Sequence, residues 1–183
     1  EQIKEGFGTI DFIIHAVAYS NKNELNGRYV DTSKDNFINS LSISCYSFTR
    51  IAKIFQPIVN SGGSLVTLSF HGANKVMPNY NVMGVAKAAL ETSVKYLSVD
   101  LGDQNVRVNA ISAGPMRTLA GAAIANARDV FNYSSENSSL KRNVNLDELG
   151  NSALYLVSDL SSAITGEIHY VDCGFNIVGM PKS

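Results

Sequence analysis

The sequence predicts an α/β fold built on a parallel sheet, and three observations carry that prediction. Short, almost continuously apolar runs recur along the chain, as strands buried on both faces of a parallel sheet require. Segments with helical periodicity separate these runs, so strands and helices alternate in the manner of βαβ units. No internal repeat, low-complexity tract or linker divides the chain, and 183 residues suit one domain with a single sizeable core.

Ile10-Asp11-Phe12-Ile13-Ile14-His15 is the first strand, and a polar stretch rich in Asn and Ser follows it. From 33 to about 60, Phe37, Leu41, Ile43, Phe48, Ile51, Ile54, Phe55 and Ile58 recur at helical spacing, with Thr32 or Ser33 as N-cap and Gly62-Gly63 as the stop. Residues 64–69 form the second strand. A loop containing Gly72 and Pro78 then leads into a helix over 81–101, with Gly102 at its C′ position. Residues 106–111 make a third strand, after which Ser112-Ala113-Gly114-Pro115 turns at the carboxyl edge of the sheet. A helix over 147–158 and a strand over 166–172 complete the series, and the Asn- and Ser-rich stretch 126–141 is expected to be mobile.

The opening of the chain departs from a dinucleotide-binding pattern. Gly6 and Gly8 precede a strand, whereas the glycine fingerprint follows a strand and opens a helix. Either a preceding segment lies outside the sequence or the fold lacks one.

Composition narrows the partners. A net charge of −1 with scattered basic residues leaves no electrostatic footprint for nucleic acid or an anionic membrane. Small molecules or other proteins are the expected partners. Cys45 and Cys173 have neither metal-ligand spacing nor the density of a disulfide framework, which fits a reducing cytosol. No apolar run approaches the roughly 20 residues that span a bilayer, and Glu1-Gln2-Ile3-Lys4 does not open like a signal peptide. The expectation is a cytoplasmic protein without membrane insertion.

Tyr80 and Lys87 are the chemically informative pair. Seven residues is close to two helical turns, which returns both side chains to one face. A phenol near an ammonium has its anionic form favoured and can donate a proton or hydrogen bond to a developing enolate, while the lysine holds ribose hydroxyls. On spacing alone, Tyr80 could equally cap the helix and Lys87 be a solvated surface lysine. Met83-Gly84-Val85-Ala86 between them keeps the helix face small enough for another element to approach.

The run Pro78-Asn79-Tyr80-Asn81-Val82-Met83-Gly84-Val85-Ala86-Lys87-Ala88 resembles the signature of bacterial enoyl-acyl-carrier-protein reductases, a branch of the short-chain dehydrogenase/reductase superfamily. Most of that superfamily spaces its tyrosine and lysine by four. Arg107 to Ala120 is a second match, and His15 to Tyr19, Asn36 to Phe48 and Gly166 to Phe175 extend the resemblance over nearly the whole chain.

The resemblance implies a Rossmann-like, doubly wound parallel sheet in three α/β/α layers, whose first strands, with the phosphate loop, precede this sequence. Residues 1–183 would then be one partial NAD(P)-binding domain, with 116–141 as its substrate-binding segment. It further implies NADH rather than NADPH as cofactor, an acyl carrier protein bearing an enoyl thioester as partner, and assembly as a homotetramer. Tyr80 would be the donor to the enolate oxygen and Lys87 the ribose ligand. Ala16, Val17, Pro115, Met116, Thr118, Leu119 and Ala120 would line the cofactor. Ala18, Tyr19, Ser20, Met83, Ala120 and Ile124 would face substrate together with Phe70 and Tyr80. Phe70 stands in the catalytic loop where relatives often carry a second tyrosine, so shape and packing replace any polar role there. His71 reads as a loop histidine with no catalytic task. Another reductase of the superfamily, a non-catalytic NAD(H)-binding module and an inactive remnant are the competing readings.

Overall fold

The structure, a computed structural model, describes residues 2–116 and 127–180. A short helix α1 (Gln2–Phe7) leads into β1 (Ile10–His15), and β2 (Val59–Phe70), β3 (Arg107–Ala113) and β4 (Ile168–Val171) follow. These four strands form one parallel sheet in the order β1-β2-β3-β4. All four predicted strands are therefore present, although their ends differ.

The long helix predicted over 33–60 is broken by its own sequence. Ser33 caps α2 (Lys34–Leu41) by accepting from the Asn36 N–H, a π-turn spans Ser42–Tyr46, and α3 (Ser47–Phe55) continues beyond it. Pro57 ends the helical run in a 3-10 turn, Gln56–Ile58, because it supplies no backbone donor. Gly62-Gly63 is not the helix stop. Gly62 has φ +86°, and a Cβ on Gly63 would lie 2.5 Å from Val59 Cγ1 and 2.7 Å from the Asn60 carbonyl oxygen. The glycines accommodate an irregularity in the pairing with β1, where Ile10 faces Val59 and Phe12 faces Ser64.

Helix α4 (Asn81–Asp100) follows β2. Gly102 stands at C′, directly after the C-cap Leu101, but it is not left-handed. Instead the chain runs on through a 3-10 turn, Gly102–Gln104, and Asn105 takes the left-handed conformation at φ +57°. The segment expected to be mobile contains helix α5 (Ala127–Asn137), and the Ser138 hydroxyl closes the turn beyond it by donating to the Arg142 carbonyl at 2.9 Å. Helix α6 (Leu146–Val157) is fixed by a capping box between Asn145 and Glu148.

Helices cover both faces of the sheet. On one face Phe48 and Ala52 of α3 and Leu90, Val94 and Leu97 of α4 pack on Leu65, Val108 and Ala110. On the other, Leu156 of α6 packs on Val66 and Ile111. The result is the expected three-layer α/β/α arrangement. Phe12 and Ile14 of the edge strand β1 remain about half exposed, at 50% and 46%.

Phe48 is fully buried against the His15 ring, their centroids 5.2 Å apart. Replacing Phe48 with Ala should cost about 3–5 kcal/mol, the usual penalty for emptying an aromatic core site, read as a lower urea midpoint at unchanged slope.

Candidate active site

Parallel pairing brings three strand ends to one edge. His15 is in register with Thr67, Phe70 with Ala113, and Ala113 with Val171, so the residues following β1, β2 and β3 emerge side by side. Ligands of open α/β sheets bind at this carboxyl edge. Ala16, Val17, Ala18 and Tyr19 are exposed there, Ser20 is half-buried, and Pro115 and Met116 are half-buried after β3. Thr118, Leu119, Ala120 and Ile124 lie outside the described residues.

Tyr80 occupies the N-cap position of α4, but its side chain does not cap the helix. Both neighbours have positive φ, Asn79 at +57° and Asn81 at +32°, a region that asparagine tolerates better than most side chains. This is the local reason for the Asn-Tyr-Asn sequence. The Asn81 amide also donates to the Glu24 carbonyl at 3.3 Å, tying the helix start to the preceding loop.

Two glycines let the chain close around the Tyr80 ring. A Cβ on Gly72 would sit 2.5 Å from Tyr80 Cδ1, and a Cβ on Gly84 would sit 2.8 Å from the Gly72 carbonyl oxygen. Phe70 meets the same ring edge-on, with centroids 5.0 Å apart. Tyr80 is only 8% exposed, and burial pushes its hydroxyl above the ordinary phenol range. The expected stabilisation of its anion by Lys87 is not among the influences on it. Tyr80 is thus a neutral donor at physiological pH rather than a phenolate.

Lys87 lies on the same helix face and is 6% exposed, so it is no surface lysine. Its Nζ donates to the Leu68 carbonyl near the end of β2 at 2.6 Å. Burial lowers its pKa to about 8, against the smaller opposing influences of Cys45 and Glu91. An ammonium has three donors and Leu68 takes one, which leaves this cation able to bind hydroxyl groups at the sheet edge. That donor set fits a nicotinamide ribose.

The loop after β1 is held by residues that the sequence did not single out. Ser44, within the π-turn, accepts from the Tyr19 N–H at 2.9 Å, and its hydroxyl also lies 3.0 Å from the Tyr19 carbonyl and 3.7 Å from Met83 Sδ. Asn36 accepts from the Asn21 N–H and the Ser20 hydroxyl at 2.9 and 3.2 Å. His15 bridges strand and helix. Because the Ser47 hydroxyl donates to the Ile43 carbonyl, His15 Nε2 donates to Ser47 at 2.9 Å and Nδ1 faces the Thr67 hydroxyl at 3.0 Å. Burial and the nearby Lys87 lower the His15 pKa, consistent with a neutral ring. No break in the apolar spacing marks this π-turn, a feature that collects at functional sites.

Met83, expected at the substrate, is 6% exposed and clusters with Tyr80, Val82 and Leu25, with Phe70 packed against them. His71, read as a loop histidine, begins the 3-10 turn His71–Ala73 that follows β2. It is 9% exposed, stacks edge-on with Phe175 at 5.4 Å, and burial lowers its pKa. Cys45 and Cys173 are both free thiols. Among the described residues, no helix is long and apolar enough to cross a membrane.

A parallel sheet between helical layers, with a tyrosine and a lysine buried on the helix that follows β2, is the arrangement of the short-chain dehydrogenase/reductase class. The profile of a family described as "Enoyl-(Acyl carrier protein) reductase" matches residues 1–176. Among curated proteins, "Enoyl-[acyl-carrier-protein] reductase [NADH] 2" of Rhizobium meliloti is 56% identical over 181 residues, covering 99% of this chain and 68% of that protein. The NADH enzyme of Rickettsia typhi is 54% identical, covering 98% and 69%. A crystal structure of the Anaplasma phagocytophilum reductase in complex with NAD superposes with a TM-score of 0.95 at 57% identity, over 100% of this chain and 70% of that one. The chain belongs to the enoyl-acyl-carrier-protein reductase family. It spans about two thirds of the length of these relatives, between 68% and 70%.

Gly72→Ala should wedge the loop off the Tyr80 ring, costing about 1–3 kcal/mol as overpacking usually does, whereas Gly102→Ala meets nothing within 4 Å. Thermal melts of the two variants should separate, with only the first lowered.

Proposed function

We propose that the protein reduces trans-2-enoyl thioesters carried on acyl carrier protein, using NADH. The observation that carries this reading is the buried Lys87 ammonium on the Leu68 carbonyl, two helical turns from a buried, protonated Tyr80. Family membership supplies the reaction class. The names of the curated relatives support NADH, and reduction of enoyl thioesters for fatty acid synthesis in the cytoplasm is the setting this reading implies. A homotetramer is the proposed assembly.

The nicotinamide supplies a hydride to C3 of the enoyl group. Everything else falls to this chain. Lys87 holds the ribose hydroxyls, with the exposed backbone of Ala16 and Val17 and the Pro115-Met116 turn alongside it. Thr118, Leu119 and Ala120 are proposed to continue that lining. As negative charge gathers on the thioester oxygen, the Tyr80 hydroxyl donates to it, and a proton delivered to C2 from solvent completes the reduction. A donor held in a dry site before charge develops needs no reorganisation when it does. Its raised pKa suits this role, because Tyr80 remains a hydrogen-bond donor throughout. Phe70 fixes the tilt of that ring and has no proton to give. Ala18, Tyr19, Ser20 and Met83 with Ala120 and Ile124 are assigned to the acyl side, and 116–141 to the substrate-binding segment.

Loss of NADH absorbance with a crotonyl thioester tests the reading in the full-length protein. Turnover is expected, and Tyr80→Phe should lower kcat by about 10²–10³, the effect of losing one such donor. Substantial activity in Tyr80→Phe would remove its role. Turnover of a 3-ketoacyl thioester but not of the enoyl one would place the protein with another reductase of the class.

A further inference from the structure

Glu91 is buried, 8% exposed, and lies one helical turn beyond Lys87 on the same face of α4. Neither the motif nor the mechanism above uses it. Its Oε1 accepts from the Ser69 hydroxyl at 2.6 Å, and its Oε2 accepts from the Asn74 amide at 3.0 Å. The second hydrogen of that amide reaches the Tyr170 hydroxyl of β4, also at 3.0 Å. One carboxylate therefore ties α4 to the last turn of β2, to the loop beyond it and, through Asn74, to β4.

That loop is the one that meets the proposed proton donor. It runs from Phe70 through Gly72 to Asn74, and it is short because the Asn74 and Lys75 N–H groups both return to the His71 carbonyl, at 3.0 and 3.1 Å. Its residues have almost no slack against Tyr80, since even a methyl group on Gly72 would strike the ring. Ser69 and Asn74, the two residues that Glu91 grips, stand on either side of Phe70 and Gly72. A buried carboxylate is costly to desolvate unless fully hydrogen-bonded, so such a group holds its partners tightly.

We propose that Glu91 is a positioning residue of the enoyl reduction: its carboxylate clamps the loop between Ser69 and Asn74 and so fixes the Tyr80 hydroxyl against the substrate. The proposal rests on the function assigned above. It acts through the loop, since Glu91 touches neither Tyr80 nor substrate. A second consequence follows from its charge, because Glu91 is the anion on α4 that favours protonated Lys87. The other titratable groups acting on that ammonium are Cys45 on the π-turn and His15 at the end of β1.

Three variants of the full-length protein test this with NADH and a crotonyl thioester. Glu91→Gln keeps one acceptor oxygen and turns the other into a donor, so Ser69 and Asn74 lose their charge-assisted bonds, and kcat should fall about tenfold or more, in line with the sensitivity of reaction rates to small misplacements. With its anion gone, Lys87 should lose its proton at lower pH, and the alkaline limb of kcat/KM for NADH should move down in pH. Asn74→Ala cuts the clamp at an exposed loop without opening the core, and it should lower kcat while leaving that limb in place. The double variant N74D/E91Q reverses donor and acceptor and should recover most of the lost kcat.

Parent-like kcat in both single variants would overturn the proposal, as would a double variant no better than Glu91→Gln while both stay folded by circular dichroism. If Glu91→Gln does not fold, Asn74→Ala decides by itself, and unchanged kcat there counts against the clamp. A parent protein with no enoyl reductase activity would instead remove the functional reading, and the role of Glu91 with it.

Discussion

The hydrogen bond from Lys87 to the Leu68 carbonyl sets the geometry of the whole carboxyl edge. It pins the second turn of α4 to the end of β2, and β2 is the strand through which β1 and β3 are joined. A buried ammonium exacts a large desolvation cost and holds its acceptor correspondingly firmly. Around it the fold places a neutral His15, a protonated Tyr80 and the carboxylate of Glu91. The cation thus lies at the carboxyl edge of the sheet with the Leu68 carbonyl, Cys45 and Glu91 near it.

Tyr80 is constrained from the opposite direction, by small residues rather than by hydrogen bonds. Gly72 and Gly84 remove the Cβ atoms that would push the loop away, and Asn79 and Asn81 absorb the backbone conformations that turn the ring inward. Phe70 closes the edge. A phenol in so dry a place keeps its proton, so the part proposed for it is hydrogen-bond donation to charge that appears only during the reaction. Lysine and tyrosine therefore play separate parts. The lysine does not acidify the tyrosine, and the two are coupled through the helix that carries both.

Much of this was legible in the sequence. Apolar runs located β1, β2 and β3, and for β2 and β3 the reason is that strands buried on both faces have no polar face to disguise them. Helix α4, its face and the Tyr80–Lys87 pair followed from 3.6-residue periodicity. Helix 33–60 was read as continuous because the apolar spacing survives the π-turn, while the serines that break the helix signal only through their hydroxyl contacts. Gly62-Gly63 looked like a stop because paired glycines end helices, yet here they fill a bulge that only strand pairing reveals. Pro57 carried the true stop. Glu91 escaped notice because its partners, Ser69, Asn74 and Tyr170, are distant in sequence and ordinary in type. Its place one turn after Lys87 was nonetheless visible.

Lys87, buried and protonated at the end of β2, is proposed to hold the cofactor. Calorimetric NADH binding to the full-length protein, on either side of the Lys87 pKa of about 8, tests it directly. Because the lysine is the charged form below that value and loses its proton above it, affinity should fall as pH rises through about 8. Lys87→Met should bind weakly and show no such fall. Tight binding by Lys87→Met, or a parent affinity indifferent to pH across that range, would contradict the claim.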